Sequence, residues 1–264
     1  MMRVLVTGSN GQLGLSIQDI ANEYLDLEFV FKDRRELDIT NKEKVKKVFG
    51  SGKFDYCINC AAYTDVEQAE NNPEIAFKVN AEGVKNLSEA SMKHNTILIH
   101  ISTDYVFDGE KNTPYIINDN LNPINVYGKS KMMGENYIQE ILSDYFIIRS
   151  SWLYNKVYGK NFYRTILKKA KNGEIIGVTD EQTGCPTNTL NLARFIITLI
   201  VDKNHNYGIY HFTDGESMTW YDFAKRIVQE NELNGISTIV KNNSYPSLAL
   251  RPKYSVLKNS NSNW

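Results

Sequence analysis

Short apolar runs recur along the first 150 residues, and longer stretches with helical periodicity separate them. The apolar runs predict β-strands at residues 3–7, 27–31, 54–59, 96–100 and 144–149. The stretches between them predict helices at residues 12–24, 41–49 and 73–93, and a further helix that contains Tyr127. Buried strands that alternate with helices are typical of a parallel sheet covered on both faces. The pattern therefore predicts an α/β fold with a doubly wound parallel sheet.

The alternation becomes irregular beyond residue 149, where aromatic side chains accumulate. Residues 174–179 predict another strand and residues 191–201 an amphipathic helix, and both are expected to return to the core. We therefore expect a six-stranded sheet in a domain that spans residues 1–150 and takes back about residues 172–202. The rest of residues 151–264 is expected to form a smaller, discontinuous lobe that binds substrate.

A glycine-rich turn follows the first predicted strand. Gly8, Gly11 and Gly14 are three residues apart, immediately before and within the start of a predicted helix. Glycines let the backbone turn sharply and approach a pyrophosphate, which binds at the N–H groups of a helix N-terminus. Gln12 and Leu13 would supply such amides. The sequence therefore predicts a Rossmann domain that binds a dinucleotide, with an ordinary glycine-rich turn as the alternative.

The charged residues after the second predicted strand bear on the choice of dinucleotide. Asp33 could accept from the ribose 2′-hydroxyl of NADH, whereas Arg34 and Arg35 could pair with the 2′-phosphate of NADPH. Both residue types are present, so NADPH and NADH both remain open. The two arginines favour NADPH slightly, and a solvated charge cluster is the alternative.

A threonine, a tyrosine and a lysine could carry out proton chemistry beside the dinucleotide. Tyr127 and Lys131 are four residues apart, which places them on one face of a helix. An ammonium beside a phenol lowers the pKa of the phenol and makes it a usable proton donor. Thr103 follows the strand predicted at residues 96–100, and ligands of open α/β sheets bind outside such carboxyl ends. The three residues predict reduction of a carbonyl; a surface pair and a strand-end cap are the alternatives.

Together these motifs resemble the extended branch of the short-chain dehydrogenase/reductase superfamily. Five further stretches are similar to the dTDP-4-dehydrorhamnose reductase family, namely residues 59–64, 102–109, 149–152, 180–187 and 251–252. The resemblance covers essentially the whole chain in order. It implies an enzyme of polysaccharide biosynthesis that uses NAD(P)H to reduce the 4-keto group of a nucleotide-linked 4-keto-6-deoxy sugar. The first candidates for substrate and product are dTDP-4-dehydrorhamnose and dTDP-rhamnose.

The resemblance also implies roles for individual residues. Tyr127 would donate the proton, Thr103 would hold the carbonyl oxygen, and Lys131 would keep Tyr127 acidic while bonding the nicotinamide ribose. Further cofactor contacts are implied for Asp38, Ile39, Ala61, Ala62 and Tyr63. Substrate contacts are implied for Asp104, Val106, Phe107, Trp152 and Arg251, with the last on the diphosphate. Core packing is the alternative for Val106, Phe107 and Trp152, and weaker candidates are Asn161 and Gln182.

Two other functions remain open on the same scaffold. The family resembles the regulatory β subunit of methionine adenosyltransferase, so the chain could be a dinucleotide-binding regulatory subunit without catalysis. An epimerase or dehydratase of the same superfamily is the other alternative, because Asp104 stands beside Thr103 where such enzymes often place an extra acid or base. The intact set of Thr103, Tyr127 and Lys131 favours an enzyme.

Composition agrees with an enzyme acting on a small molecule. The 264 residues carry balanced charges with a formal net charge of -1, which does not favour nucleic acid or a membrane surface as partner. No signal peptide or apolar stretch of membrane-spanning length is visible, so a cytoplasmic protein is expected. The partner is then the nucleotide-sugar substrate, and a homodimer is left open.

Cysteine content and the C-terminal segment add two expectations. The chain has an odd number of cysteines, namely Cys57, Cys60 and Cys185, so a disulfide framework is not expected. No set of metal ligands is visible in the sequence. The spacing of Cys57 and Cys60 falls in a predicted strand and favours core packing.

Residues 259–263 are rich in Asn and Ser and are expected to fray, whereas members of the family resembled here usually continue into a closing helix.

Overall fold

The computed structural model describes residues 1–244 and 247–260. Across these residues the chain forms twelve strands: β1 (Met2–Thr7), β2 (Leu27–Lys32), β3 (Tyr56–Asn59), β4 (Ile97–Thr103), β5 (Tyr145–Ser150), β6 (Leu153–Tyr154), β7 (Ile175–Val178), β8 (Thr183–Gly184), β9 (Thr187–Asn188), β10 (Gly208–His211), β11 (Met218–Thr219) and β12 (Thr238–Lys241).

Nine α-helices complete the described part of the fold: α1 (Gln12–Ala21), α2 (Lys42–Gly52), α3 (Val66–Asn71), α4 (Pro73–Phe77), α5 (Gly83–His94), α6 (Val126–Ile141), α7 (Phe162–Lys171), α8 (Thr189–Val201) and α9 (Trp220–Glu230). A π-helix spans Lys78–Glu82 and a 3₁₀ turn spans Asp104–Val106. None of the helices in these residues is long and apolar enough to span a membrane.

Six parallel strands form the central sheet in the order β10-β5-β4-β3-β1-β2. The predicted doubly wound parallel sheet is therefore confirmed. The strand order reverses beside β1, because the chain moves from β1 outward to β2 and then returns to β3 on the other side. Ligands of open α/β sheets bind at the carboxyl ends of the strands at such a reversal. The sheet thus places its binding crevice beyond Thr7 and Asn59, which are paired in register.

Alternate side chains of the central strands pack into two different core layers. Val4 and Val6 face helices α1 and α8, whereas Leu5, between them in sequence, faces helices α2 and α5. Burial of both faces explains why these strands read as uninterrupted apolar runs. The second layer also receives Ile138 of α6, which brings that helix against the sheet.

The smaller lobe contains β7, β12 and helices α7 and α9. β7 pairs with β12 in a separate two-stranded sheet, so the strand predicted at residues 174–179 forms but does not join the core sheet as expected. Its side chains alternate between exposed and buried, which suits a sheet covered on one face only. The sixth core strand is β10 instead. Helix α8 packs on the core layer, as predicted for residues 191–201. The division of the chain into two domains stays a prediction.

A π-helix interrupts the single helix predicted at residues 73–93. Asn80 lies within it, fully buried, and its amide exchanges two hydrogen bonds with the main chain of Tyr63, at 2.8 and 2.9 Å. It also donates to the hydroxyl of Ser130 on α6, at 3.0 Å. Gly134 of α6 packs directly against the carbonyl of Asn80, where a Cβ atom would clash. The wider turn therefore locks the loop after β3 to helix α6.

The described part of the C-terminal segment is held by hydrogen bonds. Asn259 Oδ1 accepts from the amide of Thr213 at 2.8 Å, and the amide of Ser260 donates to the carbonyl of His211 at 3.1 Å. The expected fraying is therefore wrong for residues 259 and 260, since β10 and the residues after it offer partners that the local sequence does not reveal. Residues 261–263 lie outside the described residues.

A buried ion pair joins α6 to β5. The Arg149 guanidinium donates three hydrogen bonds to Glu135 at 2.7, 3.0 and 3.2 Å, and the two side chains are 2% and 0% exposed. The guanidinium also lies over the ring of Phe107, 5.4 Å from its centroid. A buried charge that loses its partner is strongly destabilising.

We expect Arg149→Met to lower the free energy of unfolding by about 3–5 kcal/mol, because Glu135 would remain buried without its cation. Urea denaturation at neutral pH measures the effect. Arg194→Met is the matched control, since Arg194 pairs with Glu23 at the surface and its loss should cost less than about 1 kcal/mol. Similar losses in the two variants would contradict a structural role for the buried pair.

Candidate active site

A cleft of about 790 Å³ opens at the carboxyl ends of β1, β2 and β3. The predicted cofactor residues that line it are Gly8, Gly11, Asp33, Arg34, Asp38, Ile39, Ala61, Ala62 and Tyr63. Its walls also include Asn10, Lys44 and Cys60, which the sequence did not single out as cofactor contacts. These residues are far apart in sequence, and only the sheet order brings them to one cleft.

Gly8 sets the shape of the cleft where β1 ends. Its φ is +61°, in the left-handed region that favours glycine, and a Cβ atom would lie 2.6 Å from the amide nitrogen of Ala61. Gly11 follows as the N-cap of α1 and contributes no capping side chain. The α1 N-terminus is therefore open to a negatively charged group, which fits a dinucleotide pyrophosphate.

Three further predicted cofactor residues, Gln12, Leu13 and Gly14, lie in the first turn of α1. The side chain of Gln12 accepts a hydrogen bond from Asn161 Nδ2 at 2.6 Å, and Leu13 is buried in the core layer. Gly14 packs against the main chain of Ser9, within the turn. Gln12 and Leu13 can therefore contribute amides at the helix end, whereas their side chains serve the lobe contact and the core.

Charged residues after β2 line the cleft, namely Asp33, Arg34, Arg35 and Asp38, and Arg34 lies 4.0 Å from Asp38. Asp33 accepts from the amides of Glu36 and Arg35 and from Asn10 Nδ2, at 3.0, 2.8 and 2.9 Å. The Glu36 amide in particular holds the pKa of Asp33 below its usual value. Arg34 extends into solvent with 83% of its side chain exposed. Much of the hydrogen-bonding capacity of Asp33 is thus used within its own loop.

Thr103 and Tyr127 are brought together at the carboxyl end of β4. The Thr103 hydroxyl donates to Asp104 Oδ1 at 3.0 Å and accepts from the amide of Tyr105 at 3.1 Å. The Thr103 side chain also lies beside the phenol of Tyr127, whose ring meets that of Tyr105 edge to face. Helix α6, capped by Asn125, carries Tyr127 in its first turn and so delivers the phenol to the end of the strand.

Lys131 lies one helical turn beyond Tyr127 and is only 2% exposed. Its ammonium nitrogen is 2.7 Å from the carbonyl oxygen of Ile101 and 3.1 Å from His100 Nε2. Burial lowers the pKa of Lys131 to about 8, and the charge of Glu135 opposes that shift. Burial raises the pKa of Tyr127. The depression of the Tyr127 pKa expected from Lys131 is therefore not found, because the lysine is directed to β4.

Asp104, Val106 and Phe107 lie beneath the site rather than on its surface. Asp104 is 2% exposed and accepts from Ser151 Oγ at 2.9 Å as well as from Thr103, while burial raises its pKa to about 6. Val106 and Phe107 are fully buried, and Phe107 stacks on Tyr115 at 4.2 Å. Their positions fit the core-packing alternative.

Trp152 contacts the smaller lobe through helix α9. Its ring stacks on Trp220 with centroids 3.5 Å apart and an angle of 7° between the planes. Trp220 Nε1 donates to Gln182 Oε1 at 3.1 Å, so Gln182 is held in the same group. Trp220 belongs to helix α9 and lies in no sequence motif; only the fold reveals it. Stacking of this kind holds Trp152 in one orientation.

Arg251 is already paired in this structure. Its guanidinium donates to Glu67 Oε1 at 2.7 Å and approaches the hydroxyl of Tyr105 at 3.4 Å. The Glu67 carboxylate also accepts from Ser247 Oγ and from the amide of Leu248, at 2.7 and 2.8 Å. These hydrogen bonds outweigh the effect of burial and lower the pKa of Glu67 to about 2. Glu67 of α3 thus fastens the segment that carries Arg251 beside Tyr105.

The remaining candidates for metal or thiol chemistry are few in the described residues. Cys57, Cys60 and Cys185 are free, and burial raises the pKa of Cys60, which lines the cleft, to about 12. No group of three or more His, Cys, Asp or Glu side chains among residues 1–244 and 247–260 is placed to hold a metal ion.

The sheet, the cleft at its reversal point and the Thr-Tyr-Lys set define an NAD(P)H-dependent oxidoreductase of the Rossmann type. A family model described as RmlD substrate binding domain matches residues 2–263. The chain is 41% identical to a dTDP-4-dehydrorhamnose reductase of Aggregatibacter actinomycetemcomitans, over 97% of its own length and 90% of the relative's. The chain belongs to this reductase family, as predicted.

Solved structures agree with this assignment. A dTDP-4-dehydrorhamnose reductase from Bacillus anthracis, in complex with NADP, superposes with a TM-score of 0.93 at 39% identity, covering 98% of this chain and 91% of that one. The corresponding protein of Clostridium acetobutylicum gives a TM-score of 0.91 at 40% identity, with coverage of 98% and 90%. A UDP-glucose 4-epimerase of Thermus thermophilus, 21% identical, shares the fold alone.

We expect Glu67→Gln to lower the free energy of unfolding by about 1–2 kcal/mol at neutral pH, since Arg251, the Ser247 hydroxyl and the amides of residues 248 and 249 lose a charged acceptor. The folded pKa of Glu67 is about 2, below the ordinary value of 4.5, so its contribution is complete above pH 4.5 and disappears as the pH falls toward 2. Urea denaturation should therefore show a difference between variant and wild type that shrinks between those pH values. Glu43→Gln, at an exposed carboxylate, serves as control. A difference independent of pH would contradict this role.

Proposed function

We propose that this protein reduces the 4-keto group of a nucleotide-linked 4-keto-6-deoxy sugar with NAD(P)H, converting dTDP-4-dehydrorhamnose to dTDP-rhamnose. The observation that carries the proposal is the placement of Thr103 and Tyr127 side by side at the carboxyl end of β4, in the same parallel sheet whose strands β1, β2 and β3 open onto the cleft. The near full-length similarity to proteins named for this reaction supports it.

In the proposed reaction the protein orients the substrate and supplies the proton. NAD(P)H, when bound, supplies a hydride for the ketone carbon. The Thr103 hydroxyl holds the ketone oxygen, and Tyr127 gives its phenolic proton to that oxygen as negative charge develops there. Burial keeps Tyr127 protonated before the reaction, since it raises the pKa of the phenol. Lys131 holds helix α6, and with it Tyr127, at the end of β4 through its hydrogen bond to the carbonyl of Ile101.

The lobe supplies the contacts expected for a nucleotide sugar. The stacked pair of Trp152 and Trp220 offers a flat apolar wall, and Arg251 offers a guanidinium suited to a diphosphate. Because Arg251 is paired with Glu67, substrate binding would exchange or share that ion pair. A buried Asp104 beside Thr103 keeps dehydration as the second candidate, and the two reactions differ in whether NAD(P)H is consumed.

We propose NADPH as the preferred cofactor. Arg34, Arg35 and Lys44 line the adenosine end of the cleft, whereas Asp33 is bonded to its own loop. Three cations fit a 2′-phosphate better than a 2′-hydroxyl. A cytoplasmic location and a homodimer stay predictions from the sequence.

A fluorescence assay with the purified protein tests the proposal. It measures the net oxidation of NADPH or NADH in the presence of dTDP-4-dehydrorhamnose. Reduction consumes one NAD(P)H for each keto sugar, with the higher kcat/KM for NADPH. Conversion of the sugar without net oxidation would indicate an epimerase or dehydratase instead. Tight dinucleotide binding without turnover of any keto sugar would favour the regulatory alternative.

We expect Tyr127→Phe to lower kcat by about 10²–10⁴-fold, because the substrate oxygen loses its proton donor. The dissociation constant for NADPH should stay within a few-fold of wild type, as measured by titration of the protein with the dinucleotide. Tyr137→Phe on the same helix removes a hydroxyl that bonds Glu82 and should leave both quantities unchanged. Unaltered turnover in Tyr127→Phe would refute the assignment.

A further inference from the structure

A row of buried polar side chains crosses the carboxyl ends of β1, β3 and β4 and ends at Lys131. Thr7, Asn59, His100 and Lys131 are all 0–2% exposed. The successive distances are 2.7 Å from Thr7 Oγ1 to Asn59 Oδ1, 3.0 Å from Asn59 Nδ2 to His100 Nδ1 and 3.1 Å from His100 Nε2 to Lys131 Nζ. A neutral imidazole therefore lies between a side-chain amide and the lysine.

The orientation of the Asn59 amide is fixed by its neighbours. Asn59 Oδ1 accepts from the Thr7 hydroxyl and from the backbone amide of Ala61, the latter at 3.2 Å. A backbone N–H can only donate, so the oxygen of the side-chain amide must face Ala61. The NH₂ group of Asn59 is left to face His100, and it donates to Nδ1.

This orientation determines where His100 carries its proton. A neutral imidazole has one nitrogen that accepts and one that donates. Since Nδ1 accepts from Asn59, the proton of His100 is on Nε2 and points at Lys131. A lysine ammonium has only donors, so the contact between His100 and a charged Lys131 would set two donors against each other. A neutral lysine amine has a lone pair and accepts the bond from Nε2.

We infer that His100 is a positioning residue for Lys131: its Nε2–H, fixed by the hydrogen bond that Nδ1 accepts from Asn59, stabilises the neutral form of the lysine amine. The consequence for catalysis rests on the proposed function, because it matters only if the reduction requires Lys131 in its charged form. His100 then limits the pH range of the reaction at its alkaline end, where Lys131 becomes neutral. The low pKa that burial alone gives Lys131 acts in the same direction.

The other charged groups around Lys131 do not cancel this effect. Glu135, one turn further along α6, raises the pKa of Lys131, but its carboxylate is bonded to Arg149 of β5 at 2.7 Å. From β1 and β3 only the uncharged Thr7 and Asn59 extend the network in the described residues. Glu82 of the adjacent π-helix is bonded to Tyr137. His100 itself stays neutral, since burial and then Lys131 lower its pKa.

NMR on the protein without added ligand tests the inference directly. With ¹³C-labelled lysine, the signal absent from Lys131→Met identifies Lys131, and its titration midpoint should be about 8, well below the midpoints of the exposed lysines. With ¹⁵N-labelled histidine, His100 should show the tautomer with its proton on Nε2. The tautomer with the proton on Nδ1, or a Lys131 midpoint equal to those of exposed lysines, would overturn the inference.

The substitution His100→Gln separates the effect of the His100 tautomer on the Lys131 pKa from the effect of burial on that pKa. The glutamine carbonyl oxygen can accept from an ammonium, so the Lys131 midpoint should rise by at least one pH unit, which corresponds to about a tenfold change in the proton-binding constant. The alkaline limb of the kcat profile should move upward with it. His94→Gln makes the same change on helix α5 and should leave both values unchanged. An unchanged midpoint in His100→Gln would contradict the inference.

The two kinds of readout keep this inference distinct from the proposed function. If the NMR midpoint and tautomer are as expected but no keto sugar is reduced, the proposed reaction fails and the role of His100 in setting the charge of Lys131 stands. If reduction occurs but the Lys131 midpoint does not respond to His100→Gln, the reaction stands and the positioning role fails. Should His100→Gln not fold, the wild-type tautomer and midpoint still decide the question.

Discussion

A buried lysine that bonds the end of a central strand is the interaction on which the site depends. Lys131 reaches the carbonyl of Ile101 from helix α6 and thereby holds the helix at the carboxyl end of β4. With the helix in this position, Tyr127 meets Thr103, and Glu135 meets Arg149 of the next strand. Burying an amine without partners is costly, so this arrangement exists only because the strand end supplies an acceptor.

The same sheet edge joins the chemical site to the two binding regions. Gly8 brings β1 close to the loop after β3, and the α1 N-terminus then faces the cleft. On the other side, Glu67 holds the segment of Arg251 beside Tyr105, and Tyr105 packs on Tyr127. A dinucleotide on one side and a diphosphate-linked sugar on the other would therefore meet at the same few residues. The proposed reaction requires this convergence, because both ligands must meet at one edge of the α/β sheet.

Much of this arrangement could be predicted from the sequence because it is encoded locally. The buried strands, the glycine turn and the spacing of Tyr127 and Lys131 each lie within a few residues, and periodicity or spacing reveals them. The central sheet contains β10 where the sequence predicted β7. Which of the two strands joins it depends on which strand faces are covered, and a short apolar run does not specify that. Trp220 and Glu67 act through partners far away in sequence, so no local pattern marks them. The direction of Lys131 toward His100 likewise appears only once β4 and α6 are packed together.

The central claim is that Thr103, Tyr127 and Lys131 direct the reduction of the sugar carbonyl. Transfer of deuterium from NADPH labelled at C4 of the nicotinamide tests this claim most directly. The account predicts that the purified protein, given dTDP-4-dehydrorhamnose, places one deuterium on C4 of the sugar product with a single stereochemistry, as read by NMR. A product without the label, or with the label at another carbon, would show that Thr103, Tyr127 and Lys131 do not direct reduction of that carbonyl.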